Sequence, residues 1–101
     1  MLEVTNDMGK VLAEPAVVYF TAPWCGPCVQ LKPQLARAGT IDDKNQYYIV
    51  DVDQIGQEYL DEFNISSVPH IFIIKDRKIV TEISARVADK IIEEVNNETS
   101  I

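Results

Sequence analysis

Trp24-Cys25-Gly26-Pro27-Cys28 is the stretch on which the reading of this 101-residue chain turns. It holds both of the protein's cysteines, with two residues between them. One turn of helix brings sulfurs at that spacing within bonding distance. The apolar run before it, Ala16-Val17-Val18-Tyr19-Phe20, reads as a buried β-strand. The segment after it reads as an amphipathic helix. A thiol pair at a strand-to-helix turn in a βαβ setting points to redox chemistry.

The physics of a helix start supports this placement. The first backbone N–H groups of a helix have no partner within it, and the macrodipole adds partial positive charge there. Both favour a thiolate at Cys25. Cys28, one turn in, is less favoured. The expected division is an exposed, low-pKa nucleophile at Cys25 and a covered, resolving thiol at Cys28. Pro27 suits the first helical turn, where a missing N–H is harmless. Gly26 is expected to let another backbone approach the sulfur.

Outward from the motif, the apolar spacing defines the elements. Leu2-Glu3-Val4 is a short edge strand. Thr5 or Asn6 is placed to cap a short helix with Met8, Val11 and Leu12 on one face, weakened by Gly9 and ended by Pro15. Val17 to Phe20 fits a central strand covered on both faces. Cys28, Leu31, Leu35 and Ala38 fall at helical spacing, with Pro33 as a predicted kink and Gly39 as a C-terminal cap. Asp42 to Asn45 is a polar loop, and Tyr47 to Val52 is the next strand. Ile55, Tyr59, Leu60 and Phe63 form one helical stripe, with Asn64 as a left-handed stop. The order βαβα implies parallel pairing of the first two full strands. His70–Ile74 and Ile79–Ile83 are joined by a short turn and read as an antiparallel hairpin, although no glycine supplies positive φ. The last helix carries Val87, Ile91, Ile92 and Val95 on one face, and residues 96–100 are expected to fray.

The motif and its surroundings resemble the thioredoxin family. Trp-Cys-Gly-Pro-Cys is that family's active-site motif, and the likeness runs from the Ala16 strand to near the C-terminus. Pro33 stands at the family's offset from the cysteines. Local sequence alone favours a trans Val68–Pro69 peptide, because cis is the minor isomer at X–Pro bonds. The resemblance reverses this: it implies a cis-proline at Pro69, packed against the active-site disulfide. The implied fold is α/β, a mixed central sheet of about five strands flanked by helices on both faces, in a single domain spanning residues 1–101. The implied activity is protein-disulfide reduction. The implied partners are disulfide-containing targets and a thioredoxin reductase. Trp24, Gly26, Pro27, Val68, Pro69 and Ala85 would form the surface around the reactive sulfur.

Several positions depart from the family. Its buried aspartate, six residues ahead of the first cysteine, is Tyr19 here, a poor base near neutrality because a phenol titrates near ~10. Its accompanying lysine is Ile49, its glycine before the last helix is Ser84, and the charged residue after the second cysteine is Val29. Such changes suggest altered partner choice more than lost activity. His70 directly follows Pro69 and has two readings: a cation that lowers the Cys25 pKa, or a ring turned away.

Other chemistries fit the cysteine pair less well. Structural zinc needs four ligands, and two Cys with one His fall short unless a dimer shares the ion. A shared iron–sulfur cluster needs the same device. An inert disulfide across one turn closes almost no loop and gains little from it. A binding module on the same scaffold, with redox incidental, and a disulfide oxidase or isomerase remain as alternatives. No metal or organic cofactor is implied.

The totals are consistent with this reading. The net charge of −7 argues against nucleic-acid and anionic-membrane binding. No apolar run approaches the ~20 residues needed to span a bilayer. No basic-then-apolar leader is visible at the N-terminus. Two cysteines in such a chain point to a reducing, cytoplasmic setting, and a monomer is expected.

Overall fold

A computed structural model describes residues 1–99. The elements in chain order are β1 (Leu2–Val4), α1 (Met8–Val11), β2 (Ala16–Thr21), α2 (Gly26–Ile41), β3 (Tyr47–Asp51), a 3-10 turn (Val52–Gln54), α3 (Gln57–Glu62), β4 (His70–Lys75), β5 (Lys78–Glu82) and α4 (Ala88–Thr99). The strands form one mixed sheet in the order β1-β3-β2-β4-β5. β2 pairs parallel with β3 and antiparallel with β4, and β5 completes the hairpin antiparallel to β4. β2 is central and buried along its whole length, as its unbroken apolar run predicts.

Alternation along β2 sends side chains to two cores. Val17 and Tyr19 face Leu31 and Leu35 of α2 and Ile91 and Val95 of α4. Val18 and Phe20 face Met8 and Val11 of α1 and Phe63 at the end of α3. The i, i+3, i+7, i+10 stripe of α2 is buried as read, from Cys28 to Ala38. Asn64 has φ 54°, the left-handed stop that its side chain tolerates.

Other boundaries differ from the sequence reading. Asp7 caps α1, accepting from the Lys10 N–H, and Thr5 instead accepts from the Asp7 N–H. Gly39 does not end α2, which runs to Ile41 with Asp42 as its cap. A Cβ on Gly39 would lie 2.9 Å from the Tyr47 Cβ, so the glycine serves the close approach of helix to sheet. Ile55 lies before α3, and only Phe63 of that stripe is fully buried. Val87 is exposed because α4 begins after it, and Ala88 takes the buried position. α4 stays helical through Thr99; Ser100 lies outside the described residues.

Two local features carry testable energetics. The β4–β5 turn places Asp76 (φ 54°) and Arg77 (φ 62°) in the left-handed region, the two-residue turn that suits hairpin twist. Arg77 is held there by a paired contact with Glu62, 2.8 Å and 3.3 Å. Arg77→Gly removes a left-handed cost of about 1–2 kcal/mol and an exposed ion pair worth less than about 1 kcal/mol. The expected outcome is a thermal midpoint higher by roughly 2–6 °C in a melt; a lower midpoint contradicts this account.

Asp42 is buried, 5% exposed, and accepts from Tyr47 Oη at 2.8 Å, Asn45 Nδ2 at 3.0 Å and the Lys44 N–H at 3.0 Å. Burial pushes its carboxyl up, but those donors outweigh it and hold it below the ordinary aspartate value. The Tyr47 hydroxyl is pushed well up, first by burial and then by Asp42. A depressed folded pKa stabilises the fold above the unfolded value, and that stability is lost as pH falls through the folded one. Asp42→Asn should therefore destabilise by about 1–3 kcal/mol in urea unfolding at neutral pH, with the gap closing below about pH 4.

Candidate active site

The site is built where β2 hands the chain to α2. β2 ends at Thr21, and the Cys25 N–H donates to the Ala22 carbonyl at 3.2 Å, closing the turn. Cys25 is the N-cap of α2: its backbone is extended (φ −92°, ψ 113°), and its Sγ accepts from the Cys28 N–H at 3.2 Å. A sulfur thus takes the place that serine or aspartate oxygen usually fills at a helix start. Pro27 sits in the first turn. Cys25 and Cys28 are joined as a disulfide, with Cα atoms 5.3 Å apart.

Both sulfurs are covered. Cys28 is 1% exposed and Cys25 only 5%, so the expected exposure of Cys25 is corrected. The reason is tertiary. Ala22, Val52 and Val68 pack around the pair, and the Val68 carbonyl oxygen lies 3.7 Å from Cys25 Sγ. The Val68–Pro69 peptide is cis, the isomer the resemblance implies, and Val68 lies against Cys25.

The surface around the pair is uneven. Trp24 is 68% exposed, so it is not core; its Nε1–H donates to Asp53 Oδ2 at 2.9 Å, which fixes the ring. A Cβ on Gly26 would meet nothing within 4 Å, so the fold does not demand glycine there. The expected crowding is absent because that face of the turn is open. A groove of about 480 Å³ is lined by Pro27, Leu31, Gln34, Pro69, Arg86 and Val87. Ala85 is half-buried against the core, and its N–H donates to Glu94 Oε1 at 3.0 Å, so the groove wall is built from its two successors. Glu94 also accepts from the Ser84 N–H and hydroxyl.

The remaining candidates fall into place by their partners. Tyr19 is fully buried, and its hydroxyl donates to the Cys28 carbonyl at 3.1 Å. Burial holds that phenol above its ordinary value, so it donates and does not take up the role of a base. His70 Nδ1 lies 2.7 Å from Glu82 Oε2, its Nε2 lies 3.2 Å from Ser67 Oγ, and its ring stacks on Phe72. Both ring nitrogens are thus engaged away from the cysteines, the second of its two readings. Behind the disulfide lies a cavity of about 700 Å³, lined by Thr21, Cys28, Val29, Lys32, Ile49 and Asp51 among others.

Sequence reasoning missed Asp53, Arg86, Val87 and Glu94. Each reaches the site through tertiary folding, from the 3-10 turn, the segment entering α4 or α4 itself, and no local pattern marks it. The chain's one clue was the short loop before the last helix.

Comparison with known proteins places this geometry. The family model named Thioredoxin matches residues 3–97. The chain is similar to Thioredoxin H8 of Arabidopsis thaliana, 31% identical over 98 residues, covering 97% of this chain and 63% of that protein. It is 36% identical over 73 residues to thioredoxin of Bacillus subtilis (strain 168), covering 71% of this chain and 64% of that one. The crystal structure of Schistosoma mansoni thioredoxin superposes with a TM-score of 0.77 at 26% identity, covering 95% of this chain and 94% of that one. The chain spans less of other curated relatives, such as 40% of Thioredoxin-like 3-1, chloroplastic, of Arabidopsis thaliana. With the family's model matched almost end to end, its sheet order in place and its cysteine pair at the head of α2, this chain belongs to the thioredoxin family.

Proposed function

We propose that this domain is a protein disulfide reductase working by thiol–disulfide exchange. The observation that carries the reading is Cys25 at the N-cap of α2, with the Cys28 N–H donating to its Sγ. That donor and the helix dipole both favour a thiolate at Cys25 once the disulfide is reduced. The Cys25 thiolate attacks one sulfur of a target disulfide, forming a mixed disulfide and releasing the target's other sulfur as a thiolate. Cys28, deprotonated, then attacks Cys25 Sγ. The bond to the target breaks, the target leaves reduced, and Cys25–Cys28 is oxidised.

The surroundings suit an extended target chain. Pro27, Pro69 and Val87 offer apolar contact, and Trp24 stands exposed beside the motif. An extended target chain would pair strand-like with the backbone beside Pro69. A dithiol reductant, by family a thioredoxin reductase, resets the pair; we place the protein in a reducing compartment such as the cytoplasm, acting as a monomer with no cofactor beyond its own disulfide. Tyr19, standing where the family has a carboxylate, favours a second reading in which the groove only clamps a partner.

Three measurements test this. Insulin-disulfide reduction, driven by dithiothreitol or a thioredoxin reductase, should be catalysed by the wild type and abolished in Cys25→Ser; a clamp would instead bind its partner undiminished with both cysteines as Ser. Cys28→Ser should accumulate a mixed disulfide, visible by non-reducing electrophoresis, and equal behaviour of the two single variants contradicts the division of labour. Equilibration with glutathione should leave the pair strongly reducing; ready oxidation of glutathione by Cys25–Cys28 marks an oxidase or isomerase instead.

A further inference from the structure

The second half of the exchange needs a proton acceptor. Cys28 is 1% exposed and sits among Ala22, Val52 and Val68. An apolar setting disfavours a thiolate, and only the thiolate attacks. The buried hydroxyl closest in role, that of Tyr19, is already donating to the Cys28 carbonyl. Among the described residues, the 700 Å³ cavity behind the disulfide offers the alternative. Cys28 and Asp51 line it together, and Lys32 is the other charged residue on its wall. Asp51 ends β3 directly across from Thr21, the last residue of β2, so strand pairing holds it level with the start of the active-site turn. It is half-buried, and one oxygen accepts from the Asp53 N–H at 2.9 Å, which fixes the carboxylate. A cavity of this size with Thr21, Asn6 and Gln54 on its wall has both the room and the polar partners that water requires.

We propose that Asp51 is the proton acceptor for the Cys28 thiol, reached through water in the cavity that both residues line. The thiol proton passes to water and from water to the Asp51 carboxylate. The Cys28 thiolate then attacks Cys25 Sγ, forming Cys25–Cys28 and expelling the target sulfur as a thiolate. The Asp51 proton returns to solvent through the cavity mouth. Lys32 supplies positive charge on the same wall and favours the thiolate as it forms. The proposal rests on the exchange reading above and assigns Asp51 a role in its second step alone.

The test separates the two steps with Ellman's reagent, 5,5′-dithiobis(2-nitrobenzoic acid), and needs no protein target. Reduced protein releases one nitrothiobenzoate as Cys25 attacks and a second as Cys28 closes the disulfide, and stopped flow resolves the two phases. Asp51→Asn keeps an oxygen for the Asp53 N–H. It should slow the second phase by about tenfold or more, at the low end of a lost general base, and leave the first within about twofold. Asp51→Glu should restore the second phase. Added imidazole at fixed pH and ionic strength should accelerate that phase in Asp51→Asn, because the cavity admits a small base. Asp51→Ser, which also keeps an oxygen, replaces the Asn variant if that one does not fold. A second phase within twofold of wild type in a folded variant overturns the proposal, as does equal slowing of both phases. If the phases behave as expected but insulin is not reduced, the proposed function fails and the Asp51 assignment stands.

Discussion

The hydrogen bond from the Cys28 N–H to Cys25 Sγ is the interaction on which the rest of the molecule depends. It makes one residue both the cap of a helix and the holder of a reactive atom. A cap must lie at the end of the helix axis, facing the unpaired N–H groups. The sulfur is therefore delivered to the most electropositive point that a backbone can provide without any charged side chain. Redox chemistry and helix initiation are met by the same few atoms, so neither can shift without the other.

The sheet explains why that point is in the right place. β2 lies at the centre of the strand order, and β4 pairs with it antiparallel, so the end of β2 and the start of β4 meet at one edge. Val68 and Pro69 lead into β4 there, and the Val68 carbonyl lies against Cys25. Glu94 of α4 binds the backbone at Ser84 and Ala85 and so fixes the third wall. Strand register and one carboxylate together shape the groove.

Much of this was legible in the sequence, and the physical reason is periodicity. The buried stripe of α2, the continuous apolar run of β2 and the left-handed Asn64 each state their own structure locally. The cysteine pair announced its chemistry through spacing. What was hidden depends on contacts between distant segments. Cys25 was expected to be exposed because it stands at the start of its helix, one turn ahead of the covered Cys28, yet Val52 and Val68 come from elsewhere to cover it. Val87 fits a helical face, yet lies before the helix and turns to the groove. Asp53 and Asp51 look like ordinary loop carboxylates, and only the fold brings one to Trp24 and the other to the cavity beside Cys28.

Gly39 shows how far the site's tolerances extend. It lies near the far end of a 16-residue helix whose N-cap and first turn carry the two sulfurs. At that end the helix rests on Tyr47 with no room for a single methyl group. At ~1.5 Å rise per residue, the distance between the two ends is about 20 Å. The helix is therefore a lever pivoting on Tyr47, and a tilt of roughly three degrees at the pivot displaces the sulfurs by about an ångström. A side chain added there, remote from any chemistry, would strain the packing on Tyr47 and Leu2 and tilt the sulfurs as well.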